Sequence, residues 1–121
     1  MQGIILKLEG ELFAVDASNV SGIAHGSRAA KEGRRVDLRE LFFGRAGKKE
    51  QLYAVTAERK DGESLVLLVG EVGDVVEIRG EEIVPIPKFV FSKHASFFQG
   101  VILHKGELVP VIDLEELVGN V

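Results

Sequence analysis

The sequence predicts an all-β domain built as a small antiparallel barrel or a pair of them. Three observations carry that reading. Apolar runs are short and rich in β-branched residues. They recur at close intervals across glycine-centred turns, and the helical signals between them span only a turn or two. The longest uninterrupted apolar run, Leu65-Val66-Leu67-Leu68-Val69, is far short of the roughly 20 residues a membrane helix needs.

Taken in order, Gly3 to Leu8 reads as a strand that turns at Gly10 into Leu12 to Val15. Asp16, with Ser18 and Asn19 close by, caps a helical turn through about Gly22. The stretch from His25 to Gly33 is small, polar and bounded by glycine, and reads as a loop. Leu38, Leu41 and Phe42 then lie at helical spacing, with Asp37 as the cap and Gly44 as the stop. A basic, glycine-rich loop from Gly44 to Lys49 follows. Gln51 to Lys60 is expected to pair with Glu63 to Val69 through Asp61-Gly62, a strong hairpin signal. Val75 to Arg79 is a further strand. Pro85 and Pro87 exclude helix interior and central ladder, so Glu81 to Lys88 reads as an extended connection at an edge or surface. Gly100 to Ile112 reads as two strands joined at Lys105-Gly106, followed by a helix from Asp113 to Val118.

An internal echo accompanies this pattern. Val36-Asp37-Leu38-Arg39-Glu40-Leu41 matches Ile112-Asp113-Leu114-Glu115-Glu116-Leu117, and each run ends near a glycine, Gly44 or Gly119. It predicts two small barrel units related by a repeat, each closed by a short helix. In that arrangement the aspartate caps the helix and Leu38 or Leu114 plugs the barrel end. The adjacent carboxylates Glu81-Glu82 and Glu115-Glu116 read as solvated faces, so Glu115 is expected to matter little.

A length of 121 residues fits one domain over 1–121, with two lobes meeting near residues 48–52. Hydrophobic residues at 45% and charged residues at 28% exclude a wholly disordered chain. Without cysteine there is no disulfide framework, thiolate metal site or cysteine nucleophile. Lys7 and Glu9 interrupt the early apolar stretch, so no signal peptide is read, and a cytoplasmic location is expected. The net charge of −4 is unevenly spread. Residues 25–49 hold eight basic side chains (Arg28, Lys31, Arg34, Arg35, Arg39, Arg45, Lys48, Lys49) against Glu32, Asp37 and Glu40. That segment is either a solvated face or a patch for an anionic partner.

No catalytic constellation emerges. His25, His94 and His104 share no helical ligand frame. Ser21, Ser27 and Ser92 lack a nucleophile elbow, and the glycines fit no phosphate-binding loop. No enzyme, metal or cofactor is expected. The aromatic pairs Phe42-Phe43 and Phe97-Phe98 leave two readings open: one ring of each pair exposed in a binding patch, or both packed in the core.

Together these segments resemble CheW-like domains. The resemblance rests on Gly100-Val101-Ile102-Leu103-His104-Lys105-Gly106 and Leu108-Val109-Pro110-Val111-Ile112-Asp113-Leu114. It extends to Leu67 to Val72, Val75 to Ile78, Glu81 to Pro87 and the N-terminal Leu6 to Val15. It implies two intertwined, five-stranded, SH3-like barrel lobes with short helical turns, the first lobe abbreviated between Ile23 and Val36. It also implies a non-enzymatic signalling adaptor that couples the regulatory domain of a CheA-type histidine kinase to chemoreceptor tips or related partners. Two residues depart from the family pattern: Gly70 stands where an aspartate is usual, and Lys105 replaces the arginine before the hairpin glycine. Lysine keeps that charge without the planar fork.

The residues expected to bind the partner are Lys105, Val101 and Leu103 at the second hairpin, with Arg39, Phe42 and Phe43 in the first lobe. Membrane insertion is not expected. The competing reading is a small-barrel nucleic-acid-binding module using residues 25–49, against which the acidic remainder of the chain argues. An open edge beside Phe42 or Phe43 in the shortened lobe would favour a homodimer.

Overall fold

The computed structural model describes residues 1–25, 34–44, 53–85 and 97–117. In chain order its elements are β1 (Gln2–Leu8), β2 (Glu11–Asp16), β3 (Val20–His25), β4 (Arg34–Asp37), α1 (Leu38–Phe43), β5 (Tyr53–Glu58), β6 (Ser64–Val69), β7 (Glu71–Glu77), β8 (Phe98–His104), β9 (Glu107–Ile112) and α2 (Leu114–Leu117). Short 3-10 turns cover Ala17–Asn19 and Gly80–Glu82.

Three hairpins organise the strands. β1 pairs with β2, β5 with β6, and β8 with β9, all antiparallel. The turns at Glu9-Gly10 and Lys105-Gly106 share one backbone conformation, φ 50° followed by φ 80°. Two successive left-handed residues match the twist of the flanking strands, and glycine supplies the second at no steric cost.

The strands form a five-stranded sheet in the order β7-β1-β2-β9-β8 and a four-stranded sheet in the order β3-β5-β6-β4. The internal echo lies in this topology. β4 runs parallel to β6 and leads into α1, while β9 runs parallel to β2 and leads into α2. Each helix starts at its aspartate: Asp37 accepts from the main-chain N–H of Arg39 at 3.0 Å, and Asp113 from that of Glu115 at 3.1 Å. Leu38 and Leu114, the next residue in each case, are buried in one shared core. The sheets interleave along the chain, since β1 and β2 join β7 to β9 while β3 to β6 form the other sheet. A cut near residues 48–52 would separate β3 and β4 from sheet neighbours β5 and β6.

The core has two parts. Leu6, Leu8, Val15, Val55, Leu65, Leu67, Ile112 and Leu117 belong to a large cluster drawing on both sheets. Ile5, Ala14, Ile78, Ile102, Val109 and Val111 fill the second lobe. Both faces of β1 and β2 are therefore buried, which is why Gly3 to Leu8 reads as a nearly continuous apolar run. The five-stranded lobe closes where the chain leaves β7. Ile78 is buried, the Gly80–Glu82 turn crosses the end, and Val84 pairs with Val101 on β8. A Cβ on Gly100 would lie 2.5 Å from the Val84 carbonyl oxygen, so this closure requires glycine. Gly70 has a similar role between β6 and β7, where a Cβ would come within 2.9 Å of the Lys7 carbonyl oxygen. Backbone crowding thus accounts for glycine at that position.

Several expectations change. The helical turn after Asp16 stops at Asn19, and residues 20–25 form β3 against β5. Val75 to Arg79 is instead β7 over Glu71–Glu77. Glu82 is not merely solvated, because its carboxylate accepts from the Arg79 main-chain N–H at 3.1 Å. The interval between Ile23 and Val36 contains the end of β3 and the start of β4, each paired on one side among the described residues. Of the loops expected over His25 to Gly33 and Gly44 to Lys49, residues 26–33 and 45–49 lie outside the described residues, as do Pro87 and His94, while His25 ends β3.

Candidate partner-binding surface

The β8–β9 hairpin projects from the edge of the five-stranded sheet. Its register pairs His104 with Glu107, Leu103 with Leu108, Ile102 with Val109 and Val101 with Pro110. Side chains alternate, so Ile102 and Val109 point into the lobe, while Leu103, Leu108, Val101 and Pro110 share the other face. Val84 joins that face opposite Val101: its main-chain N–H donates to the Val101 carbonyl at 2.9 Å, and the Val101 N–H donates back at 2.8 Å.

This face carries three of the six large apolar side chains left exposed among the described residues. Leu103 is 69% exposed, Leu108 64% and Val84 55%. Two leucines directly opposite each other and both wet make a patch rather than scattered surface residues. Lys105 stands at the adjoining turn, exposed, with its Nζ 3.8 Å from Asp74 Oδ2 on β7. An ion pair so exposed is weak and easily exchanged for a partner's carboxylate.

The residues expected at the interface divide. Lys105 and Leu103 lie together on the exposed hairpin. Val101 is only 4% exposed, flanked in the ladder by Val84 and Pro110. Arg39, at 7% exposure, is also interior; its Nε lies 3.8 Å from the Asp37 carboxylate at the start of α1. Phe42 and Phe43 are half-buried against the core rather than displayed at an open edge. Phe13 stacks on Phe42 at 5.2 Å and on Phe98 at 6.0 Å, meets Phe43 edge-on at 6.3 Å, and Phe42 contacts Phe97 at 6.0 Å. Phe97 and Phe98 are both buried, which decides the aromatic pairs in favour of packing. The rings join α1, β2 and the start of β8 across the two lobes.

Leu108 and Val84 join the patch without being among the residues expected from sequence. Counting register outward from the Lys105-Gly106 turn puts Leu108 opposite Leu103, so that signal was present. Val84 reaches the patch only through a non-local bridge, which no local pattern encodes. In the basic segment, Arg34 lies 3.8 Å from Glu63 and Arg39 is interior; the remaining basic residues except Arg35 lie outside the described residues. Among the described residues no three His, Asp or Glu side chains converge on a metal-sized site, and no helix is long and apolar enough to cross a membrane.

Comparison with known proteins agrees with this architecture. The crystal structure of the scaffolding protein TtCheW from Thermoanaerobacter tengcongensis superposes with a TM-score of 0.77 at 21% identity, over 93% of this chain and 84% of that one. No curated protein matches the sequence. The family model of the CheW-like domain matches residues 35–121, which take in β5 to β9, both helices and the exposed hairpin. The chain therefore belongs to the CheW-like domain family, whose members are adaptors rather than enzymes.

Proposed function

We propose that this domain couples a CheA-type histidine kinase, through the kinase's regulatory domain, to chemoreceptor tips or related signalling partners in the cytoplasm. The observation that supports this reading is the exposed Leu103–Leu108 pair, extended by Val84 and flanked by Lys105. Desolvation of the leucines holds the complex, and the lysine steers encounter and register. Gly106 and the two-residue turn keep the hairpin tip stiff, so little order has to be gained on docking.

Isothermal titration of the purified kinase regulatory domain into this protein tests the reading. Saturable binding is expected, weakened by Lys105→Glu and abolished by Leu103→Ser with Leu108→Ser, with the melting temperature of each variant kept near that of the parent. Absence of heat at high micromolar concentration with both kinase domain and receptor-tip fragment would overturn it.

A further inference from the structure

The opposite face of the same hairpin closes a second feature. At the mouth of the five-stranded lobe lies a depression of about 240 Å³, lined by Ile5, Leu12, Gly73, Asp74, His104, Lys105 and Glu107. Its floor is apolar: Ile5 belongs to the core of this lobe and Leu12 packs beside it. The floor stays open because β7 presents Gly73 there, where a Cβ would lie 3.6 Å from the Ile5 Cβ. No positive φ demands glycine at that position.

The rim is charged and unevenly balanced. Lys105 faces Asp74 at 3.8 Å, so these two charges offset each other. Glu107 makes no ion pair among the described residues, and it stands directly opposite His104 in the ladder. An apolar floor beneath one uncompensated carboxylate suits an aliphatic side chain with a cation next to it.

We propose that this depression receives an aliphatic side chain of a partner polypeptide whose neighbouring residue is lysine or arginine. The cation meets Glu107, and the aliphatic group covers Ile5 and Leu12. The proposal rests on the adaptor reading for its biological partner, but the pocket is testable without kinase or receptor. It gives the hairpin two working faces: the leucine pair on one side and an anchor socket on the other.

The experiment is a titration followed by methyl and amide NMR, with three blocked dipeptides as probes: acetyl-Leu-Lys-amide, acetyl-Leu-Glu-amide and acetyl-Ala-Lys-amide. The Leu-Lys probe is expected to give saturable shifts at the Ile5 and Leu12 methyls and the Glu107 amide. The Leu-Glu probe should bind several-fold more weakly, and the Ala-Lys probe should leave the methyls unmoved. Gly73→Val, which fills the floor, should remove the methyl shifts. Glu107→Gln should cause a roughly two- to fivefold loss for Leu-Lys and remove its advantage over Leu-Glu. Equal response to all three probes, or Leu-Lys shifts that survive Gly73→Val in a folded protein, would overturn the proposal. Failure to bind a kinase domain would strike the adaptor reading and leave these dipeptide results standing.

Discussion

Arg59 and Glu115 fasten one lobe to the other. Arg59, just beyond β5, donates from Nη2 to the main-chain carbonyl of Glu115 in α2 at 3.1 Å. Its Nη1 contacts Asp61 at 3.0 Å and Glu63 at 3.3 Å within its own hairpin. The Glu115 carboxylate in turn accepts from the Lys60 main-chain N–H at 3.1 Å. The hairpin of the four-stranded sheet therefore holds the helix that follows the five-stranded one. Glu115 is not the inconsequential surface residue that its sequence position suggests.

Removing this clasp should be costly. Arg59→Met is expected to lower stability by about 1–3 kcal/mol, because it strands partly buried acceptors as well as losing a charged hydrogen bond. Glu115→Ala should cost about 1 kcal/mol. Glu81→Ala, whose carboxylate is paired only at the exposed surface, should stay within about 0.5 kcal/mol. Urea denaturation of the three variants checks this ranking.

The repeated cap-and-plug units should respond alike. Leu38→Ala and Leu114→Ala each remove a buried leucine and should cost about 2–5 kcal/mol. Asp37→Ala and Asp113→Ala free helix N–H groups and should cost about 0.5–2 kcal/mol. Thermal melts of all four variants would show whether both lobes depend on their plugs. Small, equal losses throughout would remove the plug account.

The aromatic seam makes a separate expectation. Phe13 touches Phe42, Phe43 and Phe98, so Phe13→Ala should cost about 3–5 kcal/mol. Phe43→Ser should also lower the melting temperature. A serine at an exposed binding edge would instead leave stability unchanged and alter association, which light scattering on the same samples would detect.

The hairpin turn at Lys105-Gly106 should be tunable without loss of fold. Lys105 holds φ 50°, a conformation asparagine adopts more readily than lysine. Lys105→Asn is expected to raise stability by a few tenths of a kcal/mol, whereas Gly106→Ala should cost about 1 kcal/mol. Denaturation midpoints of both variants give the comparison.

What the sequence made legible was local. Asp61-Gly62 and Lys105-Gly106 marked hairpins through backbone requirements of single residues, and Asp37 and Asp113 marked helix starts through their own side chains. β3 is not legible because the Asp16 cap signal extends a helical turn to about Gly22 and Ser21-Gly22 interrupts the apolar residues Val20, Ile23 and Ala24; pairing with β5 makes it a strand. The site was legible to the same degree. The hairpin pattern places Lys105 and Leu103 on the proposed surface, but Val101 and Leu103 have the same strand parity, and only the Val84 bridge separates the covered residue from the wet one. The clasp between Arg59 and Glu115 spans 56 positions, beyond any periodicity or capping rule.

The proposed adaptor role requires the domain to join two partners at once, which sedimentation velocity on a three-component mixture reads out. Kinase regulatory domain, receptor-tip fragment and this protein, each resolved alone, should yield a faster species containing all three. Lys105→Glu combined with Leu103→Ser and Leu108→Ser should eliminate that species. A mixture in which the kinase domain and receptor fragment displace one another, or in which none of the three co-sediments, would contradict the adaptor account.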